Sequence, residues 1–149
     1  MTHPGILPDL TDALTAPFWI AAREHRLVAQ QCQDCRAFRW PPSERCPECL
    51  SGNSVWTQLS GTATVWSQAV YRRAMHPAFA DLVPYTVAML ELPEGIRMLG
   101  MLRTSTGDVD ADGEVAIGDT VRTTFESVTP ETTLVRWLPA NMPVTRGLS

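Results

Sequence analysis

Between residues 15 and 29, apolar side chains recur at steps of three and four, the spacing that places them on one face of an α-helix. The residues on this face are Phe18, Ala21, Ala22, His25 and Val28. Pro17 suits the first turn of a helix, where its missing N–H is not needed. The pattern predicts a helix with one apolar face, which must lie against a partner or against the body of the domain. Residues 27–31 are predicted to form a short strand after the helix.

The second half of the chain has the pattern of strands. Threonine, valine and aromatic side chains, separated by turn residues, predict five strands, at residues 61–73, 85–92, 96–104, 117–128 and 133–138. The second and third are joined by a Pro-Glu-Gly turn and should form an antiparallel hairpin. Its apolar side chains are expected in the interior: Val87, Met89, Leu90, Met98, Leu99 and Met101. An acidic loop, residues 105–115, separates this hairpin from the last two strands.

These elements predict a mainly β fold. Five short strands suit a partly open antiparallel barrel of the OB-fold type, because near closure removes most exposed sheet edges. A β-sandwich is the alternative that the pattern leaves open.

The only four cysteines form two Cys-x-x-Cys pairs that are ten residues apart: Cys32, Cys35, Cys46 and Cys49. Each two-residue gap lets one turn point both sulfurs at the same ion, and four thiolates are a ligand set of structural Zn²⁺. Two disulfides would need an oxidising compartment. A thioredoxin-like motif would use a single pair beside a βαβ pattern, which this chain lacks. The spacing predicts a zinc ribbon with one structural Zn²⁺, because protein ligands fill all four positions.

Chain length and composition limit the organisation. A chain of 149 residues can bury one small core plus a metal-held module. We expect an arm over residues 1–14, the helix and zinc ribbon over 15–58, the barrel over 59–139 and a tail over 140–149. The net charge is −4 and all twelve basic residues are arginines, whose planar guanidinium suits phosphate or carboxylate. We see neither a signal peptide nor a membrane-spanning run, and therefore predict a cytoplasmic protein without membrane contact.

Several motifs in a fixed order carry a resemblance to a known family. They are residues 15–19 (Thr-Ala-Pro-Phe-Trp), Leu27, Gln31, the four cysteines, Pro41-Pro42, Gly61-Thr62, Pro84-Tyr85, residues 91–95 (Glu-Leu-Pro-Glu-Gly) and residues 117–121 (Ile-Gly-Asp-Thr-Val). Over roughly residues 15–139 the chain resembles the DUF35 family of acyl-CoA-associated proteins. The resemblance implies a rubredoxin-like zinc ribbon joined to an OB-fold barrel. Arg36 and Leu50 depart from the pattern, because a glycine in the left-handed conformation often follows each cysteine pair.

The resemblance also implies a non-catalytic accessory subunit. Proteins of this family are similar in being encoded beside thiolase-like condensing or cleaving enzymes, lipid-transfer-type aldolases or hotdog-fold enoyl-CoA hydratases. The resemblance implies that these proteins complete complexes with those enzymes and contact CoA thioesters. The implied assembly is a hetero-oligomer with a thiolase-like or lipid-transfer-type enzyme that condenses, transfers or cleaves acyl groups. This chain would help to bind or channel the acyl-CoA. A hotdog-fold hydratase is the alternative partner.

Few residues are candidates for catalysis. The sequence has no Gly-x-Ser-x-Gly, Gly-rich phosphate loop or His-Glu-x-x-His, and every cysteine is committed to metal. His76, with Asp81 to orient it, is the best candidate, although a lone loop histidine is more often an ordinary surface residue. We predict that no residue of this chain is catalytic.

Two binding surfaces are predicted. CoA combines phosphates with a long pantetheine arm, so arginines beside an apolar groove should contact it. The candidates are Arg36, Arg39, Arg72 and Arg73. A partner enzyme should dock where large aromatics gather in a segment too small to bury them. This set is Phe18, Trp19, Ala22, Phe38, Arg39, Trp40 and Pro41, and it would leave the loop of residues 74–83 facing the substrate entrance. Alternatively, the helix simply packs on its own ribbon and barrel.

Single-stranded nucleic acid is a rival ligand, because OB-folds and zinc ribbons both bind it. Five aromatic side chains could stack on bases: Trp66, Tyr71, Phe79, Tyr85 and Trp137. The charge opposes this reading, since phosphate tracking needs a basic groove and the chain carries −4 with no lysine. We take core filling and interface formation as the better explanation of the aromatics.

Overall fold

A computed structural model of the chain describes residues 6–103 and 114–141. Residues 1–5 of the predicted arm, Thr104, most of the predicted acidic loop and residues 142–149 of the predicted tail lie outside the described residues. No helix in the described part is long and apolar enough to cross a membrane. The cytoplasmic location stays a prediction.

The N-terminal helix is shorter than its apolar spacing predicts. Helix α1 spans Ala16–Arg23, with Pro17 in its first turn. His25 follows the helix with a left-handed φ of 59°, and its amide donates to the carbonyl of Ala22. The prediction of a helix through residue 29 was therefore wrong. The left-handed residue redirects the chain, so that Val28 starts a strand instead of extending the helix face.

Three short strands make the sheet of the ribbon. They are β1 Val28–Cys32, β2 Phe38–Arg39 and β3 Ser54–Gln58, in the order β2-β1-β3 with antiparallel neighbours. Strand β1 confirms the strand predicted before the first cysteine pair. Strand β3 was not predicted. The sheet holds the two cysteine turns at one end, because Cys32 is the last residue of the central strand.

The five strands predicted for the second half are confirmed. They are β4 Thr62–Tyr71, β5 Tyr85–Glu91, β6 Arg97–Met101, β7 Thr120–Ser127 and β8 Thr133–Pro139, in the order β6-β5-β4-β7-β8. The ends of this sheet meet where Leu102 forms a parallel bridge to Trp137 and the amide of Arg103 donates to the carbonyl of Trp137 at 2.8 Å. The sheet thus curls into a nearly closed five-stranded barrel of the OB type and not a sandwich.

A single apolar core joins the barrel to the N-terminal unit. Trp137 fills the barrel and is 1% exposed, and a Cβ added at Gly100 would lie 2.4 Å from its ring. Phe18 of α1 and Leu27 before β1 belong to the same cluster. Of the hairpin side chains expected inside, Leu90, Met98 and Met101 are buried, but Leu99 is 68% exposed. The expectation for Leu99 was wrong, because alternation along β6 turns it to the outer face.

Candidate metal centre and binding surfaces

The four cysteine sulfurs come together at the end of the ribbon. All four Sγ atoms lie within 4.8 Å of one another, and Cys32–Cys49 and Cys35–Cys46 are each 3.6 Å apart. A tetrahedral ion with Zn–S bonds of about 2.3 Å requires sulfur–sulfur distances of about 3.8 Å. A disulfide would require about 2.05 Å. The geometry fits one Zn²⁺ held by four thiolates and excludes two disulfides, as the spacing predicts.

The two cysteine turns repeat the same backbone geometry. In the first, the amide of Arg36 donates to the carbonyl of Cys32 at 3.0 Å, and in the second the amide of Leu50 donates to that of Cys46 at 2.8 Å. Arg36 and Leu50 have φ of 69° and 65°. Both positions keep the left-handed conformation that glycine adopts most easily, although neither is glycine. The departure from the family pattern leaves the turn geometry unchanged and adds local strain.

Backbone amides of the turns prepare the first cysteine of each pair for metal. N–H groups of Cys35 and, less strongly, Asp34 lower the pKa of the Cys32 thiol to about 6. Those of Cys49 and Glu48 lower the pKa of Cys46 in the same way. An N–H donor stabilises a thiolate more than a thiol. The turns thus favour the ligand form of both buried sulfurs before any ion binds. With all four ligands from protein, a bound Zn²⁺ is structural.

Arg39 lies inside the ribbon, although it is a candidate for both predicted surfaces. Its residue is 3% exposed, and its guanidinium donates to the side-chain oxygen of Gln30 and to the carbonyl of Ser43. The Gln30 oxygen also accepts from the Ser43 amide. These bonds tie β1 and β2 to the segment before the second cysteine turn. A side chain with this burial cannot face CoA or a partner, so Arg39 is a structural residue of the ribbon.

The aromatic residues predicted for docking pack on the chain itself. Phe18 is 7% exposed and meets the rings of Trp19 and Trp40 at centroid distances of 4.9 and 4.8 Å. Ala22 is fully buried. Phe38, Trp19 and Trp40 are half-buried, and Pro41 is exposed. The helix therefore does pack on its own ribbon and barrel, as the alternative holds. Only the half-buried rings and Pro41 remain accessible.

A groove of about 200 Å³ opens beside these rings, where the helix, the ribbon and the barrel meet. We call it the seam groove, because it lies between β6 and β8; its lining is Thr15, Phe18, Trp19, Trp40, Pro42, Leu99, Leu134, Val135 and Arg136. Sequence reasoning did not predict Leu99 or Arg136 as surface residues of a groove. The available signal was a lone arginine inside the apolar strand Thr-Leu-Val-Arg-Trp-Leu-Pro.

Beside this groove two arginines share one carboxylate among the residues that the structure describes. Glu126 accepts from Nε of Arg136 at 3.2 Å and lies 3.8 Å from Nη2 of Arg103, so one carboxylate faces two guanidiniums. Burial, the largest cause, lowers the pKa of Arg136, Glu126 opposes this shift and Arg103 adds to it. A partly desolvated guanidinium gains more from an added anion than a fully exposed one does.

Arg72 and Arg73 come directly after Tyr71, the last residue of β4, which belongs to an aromatic cluster. Tyr71 stacks on Tyr85 at a centroid distance of 5.1 Å, and Phe79 lies 5.5 Å from Tyr85. Both arginines and Tyr71 are exposed, whereas Tyr85 is buried. Arg36, on the ribbon, is also exposed. The structure therefore exposes Tyr71 of this cluster and the two arginines that follow it in sequence, and it leaves Arg36 in a separate element.

His76 has a structural contact that sequence reasoning did not anticipate. Its Nδ1 accepts from the amide of Ala78 at 3.1 Å and caps the short 3₁₀ helix Pro77–Phe79. Within the described residues no hydrogen bond links it to Asp81. The histidine is therefore oriented by the loop backbone and not by a carboxylate.

The aromatics considered for base stacking divide by burial. Trp137 and Tyr85 are buried and cannot stack on a base. Trp66 is 51% exposed, but the guanidinium of Arg97 lies 4.0 Å from its ring centroid. An exposed, continuous row of free rings, as a single-strand binder requires, is not found among the described residues.

Comparison with known proteins agrees with the fold and the metal site. Residues 19–55 match the family described as the ChsH2 rubredoxin-like zinc ribbon domain, and residues 56–126 match the ChsH2 C-terminal OB-fold domain. A chain of the solved structure "Ltp2-ChsH2(DUF35) aldolase" superposes with a TM-score of 0.75 and 34% sequence identity, covering 89% of this chain and 99% of that chain.

Two curated relatives illustrate the range of the similarity. The probable enoyl-CoA hydratase alpha subunit of Thermomonospora curvata is 37% identical over 83% of this chain, which spans only 37% of that subunit. The DUF35 domain-containing scaffold protein of Methanothermobacter thermautotrophicus is 31% identical over 73% of this chain and 78% of its own length. With the zinc-ribbon and OB-fold matches, this likeness shows that the chain belongs to the DUF35 family.

Proposed function

We propose that this chain is a non-catalytic accessory subunit that completes a thiolase-like acyl-CoA enzyme and helps to bind its CoA thioester. The observation that carries the proposal is the likeness to nearly the whole DUF35 chain of a structure described as an Ltp2-ChsH2(DUF35) aldolase. A relative named a scaffold protein supports a role without chemistry of its own. The structural roles of the cysteines and of His76 support the same conclusion.

A partner of the aldolase or thiolase type is favoured over a hydratase. The match to the enoyl-CoA hydratase alpha subunit covers 37% of that protein, whereas the match to the DUF35 chain of the aldolase covers 99%. The solved aldolase assembly therefore contains a chain of nearly the same extent as this one. We keep the hotdog-fold hydratase as the second candidate partner because the hydratase relative is the more similar in sequence, at 37% identity.

We place the nucleotide end of CoA at the aromatic cluster that precedes Arg72 and Arg73. The exposed ring of Tyr71, stacked on buried Tyr85, offers a rigid face for a purine. The two exposed arginines that follow Tyr71 in sequence can bind phosphates. Arg36 stays a weaker candidate on the ribbon, and Arg39 is left out because it is buried. We also propose a division between ribbon and barrel at residues 58–59.

Affinity capture in the organism that encodes the sequence tests the proposal. The tagged chain should retain a thiolase-like enzyme in a fixed stoichiometry, identified by mass spectrometry and then produced as a recombinant protein. The recombinant enzyme should turn over acyl-CoA faster with this chain than without it, and the chain alone should be inactive. Turnover by the isolated chain, lost in His76→Ala, would contradict the accessory role.

CoA binding is tested separately with the double variant Arg72→Gln/Arg73→Gln. It should weaken binding of CoA by the complex, measured by calorimetry, and lower its dependence on salt. Arg23→Gln/Arg26→Gln removes two solvent-accessible arginines elsewhere and is the matched control. Equal CoA affinity in all three proteins would move the nucleotide site away from this cluster.

A further inference from the structure

Strands β6 and β8 are the two edges of the barrel sheet, and among the described residues they are joined only at the bridge between Leu102 and Trp137. Before that bridge the barrel has an open seam. In an antiparallel pair, every second residue forms backbone hydrogen bonds to the neighbouring strand, and the residues between them point away from it. The Leu92 amide donates to the Ile96 carbonyl and the Leu102 amide donates to the Thr86 carbonyl, so Ile96, Leu102 and every second residue between them bond to β5. The N–H and C=O of Arg97 and Leu99 consequently point away from β5. Within the described residues, no strand pairs with this edge before the bridge.

Strand β8 presents the matching edge. The Val128 amide donates to the Thr132 carbonyl, so Thr132 and every second residue after it bond to the β7 side. Val135 lies between these residues, and its backbone points away from β7. Trp137, two residues later, has the same orientation, and its carbonyl accepts from Arg103. Leu99 and Val135 both line the seam groove. Two sheet edges therefore face one groove, and the bridge at Trp137 closes only one end of it.

The groove has the shape and charge for a particular kind of occupant. Its volume of about 200 Å³ leaves room for one large apolar side chain between Trp19, Trp40 and Leu99. At its edge, Arg136 donates only Nε to Glu126 among the described residues, and Arg103 shares that same carboxylate. In the described part of the chain these two guanidiniums have one carboxylate between them, so an acidic group on the occupant would be attracted to them. Backbone edges, an apolar socket and a pair of guanidiniums that share one described carboxylate are together what an extended acidic peptide needs.

We infer that the seam groove receives an extended segment of the partner enzyme, which adds to the free edge of β6, inserts one apolar side chain between Trp19 and Leu99, and places a carboxylate against Arg136. This inference rests on the proposed function and specifies its interface. Affinity comes from main-chain bonds to Arg97 and Leu99, and specificity comes from the socket and the charge.

A pair of substitutions at one residue tests the strand addition. Leu99→Ala removes the exposed side chain and should weaken partner binding about tenfold. Leu99→Pro also removes an N–H that faces the seam, which β5 does not need, and should weaken binding by roughly a further three- to tenfold. Val55→Ala, an exposed apolar residue on the ribbon, is the control and should keep wild-type affinity. Zinc content and circular dichroism verify that each variant is folded.

The contribution of charge is tested by comparing Arg136→Gln with the control Arg26→Gln. Arg26 is a solvent-accessible arginine that, like Arg136, is paired with a glutamate. Only the first should weaken binding, and its effect should shrink at high salt. Hydrogen exchange provides an independent readout: the amides of Arg97 and Leu99 should become protected in the complex, while the control residue Val55 stays unchanged.

The outcomes separate the two proposals. If no thiolase-like enzyme binds, both the function and this interface are overturned. If the enzyme binds all Leu99 and Arg136 variants with equal affinity and residues 97–99 exchange as before, the accessory function stands and the interface is elsewhere. If the chain alone dimerises and Leu99→Pro abolishes the dimer, the occupant is a second copy and the inference is wrong.

Discussion

In the zinc ribbon the strands are five, two and five residues long, whereas the barrel strands run from five to ten residues. The barrel encloses large buried side chains such as Val65, Leu90 and Trp137. Beyond residue 30, the buried residues of the ribbon are Cys32, Arg39 and Cys46. A unit with so little apolar burial cannot offset the conformational entropy of folding. The comparison teaches that metal ligation orders the ribbon and apolar burial orders the barrel.

The largest expected effect separates the two regions by removing a metal ligand. Cys46→Ser should release zinc and disorder roughly residues 30–56 while the barrel stays folded, because structural zinc sites contribute on the order of 10–16 kcal/mol. Metal analysis and amide NMR spectra measure both halves of this prediction. Pro47→Ser, in the same turn but without a ligand, is the control. Loss of barrel signals as well would show that the regions do not fold independently.

A second substitution removes a large buried side chain from the barrel core. Trp137→Ala removes a ring that is 1% exposed and should lower the free energy of unfolding by about 3–5 kcal/mol. Trp66→Ala removes a ring that is 51% exposed and should change it by less than about 1 kcal/mol. Denaturant titration followed by circular dichroism compares them. Zinc should stay bound in both, and equal destabilisation would contradict the assigned core.

A third change addresses the junction between the regions. Trp40 contacts Phe18 and lines the seam groove, so Trp40→Ala should weaken partner binding by about 2 kcal/mol or more and leave zinc in place. Trp56→Ala, another half-buried tryptophan of the ribbon, is the control for a general loss of packing. Full partner affinity in Trp40→Ala would place the docking surface away from the junction.

The smallest expected effect concerns strain inside the ribbon. Arg36 holds a φ of 69°, so Arg36→Gly should stabilise the metal-bound ribbon by up to about 1 kcal/mol. Ala37→Gly, at a neighbouring residue without positive φ, should be neutral or destabilising. Thermal unfolding at fixed zinc concentration measures the difference. Stabilisation by both glycines would mean that strain at Arg36 is not the cause.

Local patterns predicted the five barrel strands because alternation and turn residues act over a few positions of sequence. The same reasoning missed β3, whose register with β1 pairs residues as far apart as Val28 and Gln58. It also extended the helix to residue 29, because the spacing of Phe18 to Val28 is compatible with a helix and the left-handed His25 is not visible in an apolar pattern.

The sequence by itself determined the metal centre, because two short covalent gaps and one connection of ten residues set where the cysteine sulfurs can meet. It also determined which family the chain resembles. Only the tertiary structure decided which side chains are available for binding: Arg39 is buried between strands of the ribbon, and Leu99 is exposed on the barrel. Residue type suggests the opposite for both. Exposure depends on which elements pack together, and no local pattern carries that information.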